Sequence, residues 1–320
     1  MMCKLMKVDM TFQFKNNLLT FVFGLLLLLN TVKAIAQDCP KQPIPFEQAR
    51  EYIDKTPAKN AGLLWRVEKA GKTSWLYGTM HLMNIDYAKP GPQIMMGMRF
   101  SDLLAVEIDT YAPQPPVSNN QIAKFELSPD QLRRLKSAFH KECIKIDQTQ
   151  PALNLLMNSQ ANRLGLFWGY GPDARLMQIA KRANKPIVQL EGVEQQINAL
   201  TARSQAEFDE QVTVGLDSFE NGALFSHLNA LAKAWQNNDL QTFVQNTEKM
   251  DAQTPDFAKR INDDRNILMA SKIDGLHTDG KRVFVAVGAV HMTGKNGIPK
   301  LLEEKGYKVT FMPLVNVASQ

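Results

Sequence analysis

The chain is poor in cysteine. Of three, Cys3 lies in the extreme N-terminal segment, leaving Cys39 and Cys143. Two cysteines cannot build a disulfide-rich scaffold or a four-thiolate metal site. They can form one disulfide across a long loop or remain two separate thiols. The chain also lacks an apolar run of about 20 residues, the length needed to span a bilayer. Its longest, Leu18 to Leu29, is about a dozen. Neither a His-Glu-x-x-His zinc-protease motif nor a Gly-x-Ser-x-Gly elbow occurs, which excludes two familiar hydrolase classes. No long Gly/Ser/Pro linker divides the sequence.

A large charge excess is missing as well, once the N-terminus is set apart. Residues 1–36 combine Lys4, Lys7 and Lys15 with the apolar stretch and end in Ala34-Ile35-Ala36. This is the layout of a cleaved secretory signal, so the product is expected to be secreted or periplasmic. Gln37-Asp38 before Cys39 lacks the small residues of a lipid-attachment site. With Lys33, the segment holds four lysines against Asp9, a net +3 of the chain's +5. About +2 remains over residues 37–320, too balanced to imply nucleic acid or an acidic membrane as partner. No integral membrane segment is expected after cleavage, and the partner is expected to be a peptide or small-molecule substrate.

What remains has the composition of an ordinary globular protein, 44% hydrophobic and 22% charged. Leu63-Leu64-Trp65-Arg66-Val67, a turn at Ala70-Gly71-Lys72 and Trp75-Leu76-Tyr77 predict a hairpin. Leu103–Ile108, Ile187–Leu190 and Val283–Val287 are short apolar runs of the kind found in strands buried on both faces. Tyr307–Met312 is expected to close the sheet. Ser128-Pro129-Asp130-Gln131 is a capping box opening a helix with Leu132, Leu135, Ala138 and Phe139 on its inner face. Asp173 is expected to cap a second helix carrying Leu176, Ile179, Ala180 and Ala183 inward. Gln205–Met250 is helical in pattern. Thr254-Pro255 starts a further helix with Phe257, Ile261, Leu268 and Met269 buried, and Gly297–Lys305 is the last. Tyr111–Gln121, rich in Pro and Asn, is expected to be a mobile loop. The fold class is α/β: a mixed, largely parallel sheet flanked by helices, with a helical middle, in one domain over residues 37–320.

Two motifs carry chemistry: Gly78-Thr79-Met80-His81 and Gly288-Ala289-Val290-His291. Composition alone predicts roughly 0.3 Gly-x-x-His matches. Each follows an apolar strand, and in open α/β sheets the carboxyl ends of the strands form the rim where ligands bind. A lone histidine there is more often a hydrogen-bonded structural residue, but the duplicated context favours function. His140, His227 and His277 have no partner pattern and are expected to be surface or packing residues. Glu107 and Glu191 interrupt apolar strands at similar places, and a carboxylate beside a buried strand must pair, hydrogen-bond or bind a metal. Glu107 is a candidate metal ligand or general base; Glu191 is the same, or an orienter of the histidines. Arg265 is a candidate to neutralise a carboxylate or stabilise an oxyanion.

From Leu63-Leu64-Trp65-Arg66-Val67 and Trp75 to His81, through Val106-Glu107-Ile108-Asp109, the helix from Asp173 to Pro186, Leu190-Glu191-Gly192, Arg265-Asn266 and Val285 to Gly294, and on to Gly306-Tyr307-Lys308-Val309, the chain resembles the TraB/GumN family. That family includes the Tiki proteases and stands with the erythromycin esterase-like and ChaN-like proteins. The resemblance implies an α/β fold with His81, Glu107 and His291 at the active site and Arg265 nearby. It implies a metal-dependent peptidase using Mn or Co, on the Tiki side. A metal-independent esterase and a haem- or iron-binding protein are the alternatives. Imidazole and carboxylate donors also suit Zn or Fe.

Overall fold

The computed structural model describes residues 38–113, 125–145 and 152–315, which belong to one compact unit, Gln37–Gln320. The expected signal, residues 1–36, and residues 114–121 of the expected loop lie outside the described residues.

Strands β1 (Leu63–Lys69) and β2 (Lys72–Thr79) form the hairpin, pairing antiparallel from Lys69 opposite Lys72. Ala70 and Gly71 both take positive φ, +50° and +72°. A two-residue loop needs that backbone to match the twist of its strands. After β3 (Leu82–Met83) come β4 (Leu103–Val106), β5 (Phe167–Trp168), β6 (Ile187–Gln189), β7 (Val283–Gly288) and β8 (Lys308–Met312). Six strands make one sheet in the order β6-β4-β7-β2-β1-β8, and β3 pairs with β5 in a separate ribbon. β6, β4, β7 and β2 are parallel, and β1 runs antiparallel to both its neighbours. β4 and β7 are buried along their whole length, as their apolar runs predict. β6 is only half-buried, because it is the outermost strand.

The helices are α1 (Phe46–Lys55), α2 (Pro92–Phe100), α3 (Pro129–Lys141), α4 (Ala152–Arg163), α5 (Pro172–Arg182), α6 (Val193–Leu200), α7 (Gln205–Glu220), α8 (Ala223–Gln236), α9 (Leu240–Asp251), α10 (Pro255–Ala258), α11 (Asp264–Thr278) and α12 (Ile298–Glu304). None of the described helices is long and apolar enough to cross a membrane. The middle of the chain is helical, as its pattern predicts. α3, α4 and α7 share a core of their own around Phe139, Leu156 and Leu216. The capping box of Ser128 and Gln131 forms. The inner stripe of α3 is shifted, however: Leu132 is exposed, and Gln131 is buried where its amide donates to Asp209 O and Thr213 Oγ1. On α5 the buried stripe is Leu176, Met177 and Ala180, and Ala183 is the exposed C-cap.

The chain from Pro255 to Thr278 departs furthest from its pattern. A π-helical turn, Lys259–Asp263, separates α10 from α11. The wider turn shifts the helical phase, so 3.6-residue spacing no longer tracks one face. Met269 is buried as expected, Phe257 and Ile261 are half-buried, and Leu268 is 49% exposed. Asn266 is buried instead.

Cys39 and Cys143 are joined by a disulfide, Cα atoms 5.6 Å apart across 104 residues. Arg163 braces this junction, donating to Glu142 at 2.8 Å and to Asp38 at 3.0 Å.

Candidate active site at the strand rim

Four adjacent parallel strands end on the same side of the sheet. In spatial order they lead to Glu191 after β6, Glu107 after β4, His291 after β7 and His81 after β2. The parallel register pairs Thr79 with Gly288 and Val106 with Ala286. Two histidines 210 positions apart therefore leave the sheet side by side, with Glu107 next to them.

The motif glycines have separate steric reasons. A Cβ on Gly78 would lie 3.0 Å from the Ala289 backbone, so Gly78 lets the turn bearing His291 pack against β2. A Cβ on Gly288 would lie 3.2 Å from Glu107 Oε1. Without it, the Gly288 N–H donates to that oxygen at 2.6 Å. Trp235, fully buried, donates from Nε1 to Gly78 O at 2.7 Å and holds the end of β2 from α8.

Glu107 lies between the imidazoles. His81 Nε2 is 4.0 Å from Glu107 Oε1, and His291 Nε2 is 3.8 Å from Oε2. Both separations exceed a hydrogen bond. The other ring nitrogens are tied outward, His81 Nδ1 to Asp173 Oδ2 at 2.9 Å and His291 Nδ1 to Asn266 Oδ1 at 2.7 Å. Asp173 Oδ2 and Asn266 Oδ1 are acceptors, so Nδ1 is the donor in each pair and each Nε2 is turned to Glu107.

Arg265 spans both glutamates. Its Nε donates to Glu191 Oε2 at 2.8 Å, and Nη2 donates to Glu107 Oε2 at 2.8 Å and to Glu191 Oε1. Nη1 donates to Ile261 O, a carbonyl of the π turn. Three of its five N–H donors thus hold the carboxylates and a fourth the Ile261 carbonyl, which leaves little for an oxyanion. Glu191 meets Arg265 and Gln196, whose amide also reaches Glu107 at 3.4 Å; neither histidine is among its partners. Its reach to the histidines therefore runs through Arg265 and Glu107.

The surroundings make the two imidazoles unlike. Burial disfavours the charge on His81, but the Asp173 hydrogen bond and the charges of Asp173 and Glu107 outweigh burial and Arg265, raising its pKa to about 9. His291 is pushed down to about 4, chiefly by burial, against the attraction of Glu107. Burial also opposes ionisation of Glu107; the histidines, Arg265 and the Gly288 N–H prevail and hold it near 2. At neutral pH the centre holds an imidazolium, a carboxylate and a neutral imidazole.

Asp173 is not the cap its position predicts. The N-cap of α5 is Gly171, and the Asp173 side chain turns to His81. The nearest sequence signal was a carboxylate in the first turn of a helix, which ordinarily favours the helix dipole alone. Asn266 was visible only as the neighbour of Arg265. Trp168, whose ring centroid is 5.4 Å from that of His81, carried no local signal at all. His277 is a packing residue, as expected: buried, it meets Ser74 Oγ at 3.0 Å and Lys69 O at 3.1 Å.

The fold and rim define an α/β protein with a His–Glu–His set at the carboxyl ends of parallel strands. Residues 63–311 match the TraB/PrgY/gumN family, and the chain belongs to it. It is similar to the uncharacterized protein YbaP of Shigella flexneri, 28% identical over 251 residues, covering 72% of this chain and 87% of that protein. YbaP of Escherichia coli K12 is also 28% identical, over 249 residues, covering 71% and 86%. No solved structure matches the chain.

Proposed function

We propose that this chain is a hydrolase, peptidase-like in its chemistry, with His81, Glu107 and His291 as its reacting centre and a divalent metal ion as its cofactor. The observation that carries this is the pair of Nε2 atoms facing one carboxylate at 4.0 and 3.8 Å while both Nδ1 positions are tied by acceptors. Histidines that bind a metal through one nitrogen characteristically donate the other N–H to a carboxylate or carbonyl.

The donor types suit Mn or Co, the ions implied by the family resemblance, and also Zn or Fe. Ligands about 2.1 Å from an ion at a tetrahedral angle lie about 3.5 Å apart, so the donors need to close by about half an ångström. As they stand, no three His, Cys, Asp or Glu side chains among the described residues are grouped to hold an ion. An ion held by His81, His291 and Glu107 would supply Lewis acidity to a scissile carbonyl and lower the pKa of a water. The chain's own part is positional. Arg265 keeps Glu107 ionised and pointed at the histidines, and Glu191 keeps Arg265 in place.

A second reading, metal-free ester hydrolysis, is favoured by the divergent histidines. A neutral His291 suits a general base and a protonated His81 a general acid, since a pair of groups pushed apart in pKa can divide those roles.

We propose further that the enzyme is exported, to the periplasm or beyond. The Cys39–Cys143 disulfide supports this, because such bonds persist in oxidising compartments.

The test is metal analysis of the purified protein, with peptide and ester hydrolysis assayed before and after chelation. Stoichiometric metal and chelator-sensitive peptidase activity are expected, both lost in His81→Ala and His291→Ala. Undiminished ester hydrolysis after full metal removal would establish the second reading. Absence of hydrolysis in every condition would sink both.

A further inference from the structure

We infer that Asp173 is a positioning residue of the centre: it fixes His81 with the proton on Nδ1 and thereby presents Nε2 to Glu107. This deepens the hydrolase reading and rests on it for its catalytic meaning, although the ring state can be measured without any activity.

The geometry separates this role from a structural one. A first-turn carboxylate ordinarily serves its helix by accepting from free backbone N–H groups. Asp173 does not. Helix α5 has no side-chain cap bond at its N-cap, and Asp173 Oδ1 is buried with no hydrogen-bond partner among the described residues. Oδ2 meets His81 Nδ1 at 2.9 Å. An unsatisfied buried acceptor is costly, and helix stability alone gives no reason to retain it.

The start of α5 is also pressed against the strand end that bears His81. A Cβ on Gly171 would fall within 3 Å of Met80 O and of Asp173 Oδ1, and 3.1 Å from His81 Cα. Glycine at that N-cap lets the helix approach closely enough for the short Asp173 side chain to reach the ring. The constraint matters because the His81 side chain is 41% exposed, whereas that of His291 is 3% exposed. Packing holds His291, but His81 needs a hydrogen bond to choose its tautomer and its angle.

The test uses Asp173→Ala and Asp173→Leu, two variants without an acceptor, either of which suffices if folded. Nitrogen-15 NMR of the full-length mature protein, at a pH where His81 is neutral, reads its tautomer directly. The wild type is expected to show Nδ1–H. The variants are expected to shift toward the Nε2–H form that imidazole favours in water. Titration with Mn2+ or Co2+ is expected to show affinity falling 10–100-fold in the variants, as loss of such an outer partner does. A folded variant whose His81 keeps the wild-type tautomer overturns the inference. If the wild type binds neither ion, the metal reading of the site fails, and the tautomer alone decides the role of Asp173.

Discussion

The backbone N–H of Gly288 donates to Glu107 Oε1 at 2.6 Å, and that same oxygen lies 3.2 Å from where a Gly288 side chain would begin. The second motif's glycine therefore serves the carboxylate as much as the turn to its own histidine.

Gly288→Ala should for that reason damage function more than folding. Glu107 is anchored by Arg265 and cannot give way by a few tenths of an ångström without losing a bond. Displacements of this kind at a reacting group can cost about 100-fold in rate. We expect a loss of that order in kcat/KM with a stability change of about 1 kcal/mol. Steady-state kinetics beside urea unfolding would check it; a larger effect on folding than on rate contradicts the argument.

Arg265→Ala should be severe for stability. It leaves Glu107 and Glu191, both buried, as neighbouring carboxylates without their cation. Breaking a buried pair from one side typically costs about 3–5 kcal/mol. Adding Glu191→Gln in the Arg265→Ala background should recover part of that, because one uncompensated charge disappears. Denaturant unfolding of the single and double variants gives the comparison, and no recovery would count against charge burial as the cause.

Dependence on pH separates the two hydrolytic readings. Without a metal, activity needs His291 unprotonated and His81 protonated, with pKa values of about 4 and about 9. The chelated enzyme's kcat/KM should then be flat across neutral pH. It should fall below about 4 as His291 gains its proton, and above about 9 as His81 loses its own. A single ionisation near pH 6.5 would show that neither ring is perturbed as the geometry requires.

Cys143→Ser should lower stability by about 2–4 kcal/mol, the usual range for a disulfide that closes a long loop, here 104 residues. Unfolding of the wild type with and without reductant should reproduce the difference. Equal midpoints would show that the bond contributes nothing.

The remaining histidines divide in two. His277→Ala should cost about 1–3 kcal/mol, because buried Ser74 loses a partner at the amino ends of β2 and β7, far along the strands from the rim. His227→Ala should leave stability and hydrolysis unchanged. Melting curves with activity assays would separate these effects; a His277 variant of normal stability but no activity would demand another account.

Much of the rim was legible because its signals are local. An apolar strand, a glycine and a histidine three residues on appear twice in the chain. Glu107 stood out as a charge at the end of a buried run. The capping box at Ser128 and the positive-φ turn at Ala70-Gly71 follow from a few adjacent side chains. Such features depend on backbone preferences and alternation, which short segments carry by themselves.

The partners of those residues depend on register and packing between segments far apart in the chain. Parallel pairing of β2 with β7 puts His81 beside His291, and the strand order brings Glu107 and Glu191 alongside. Arg265 faces the rim, as its place beside Ile261 suggested, but after the π turn before α11 it is Asn266 that is buried beside it and not Leu268, to which the 3.6-residue spacing pointed. Asp173 could be placed at a helix start from its neighbours, but its contact with His81 spans 92 positions. The sequence by itself determined which groups can do acid–base or ligand chemistry and the strand ends that carry them. Only the tertiary structure decided which group faces which, because hydrogen-bond partners across a sheet rim are chosen by the packing of whole elements.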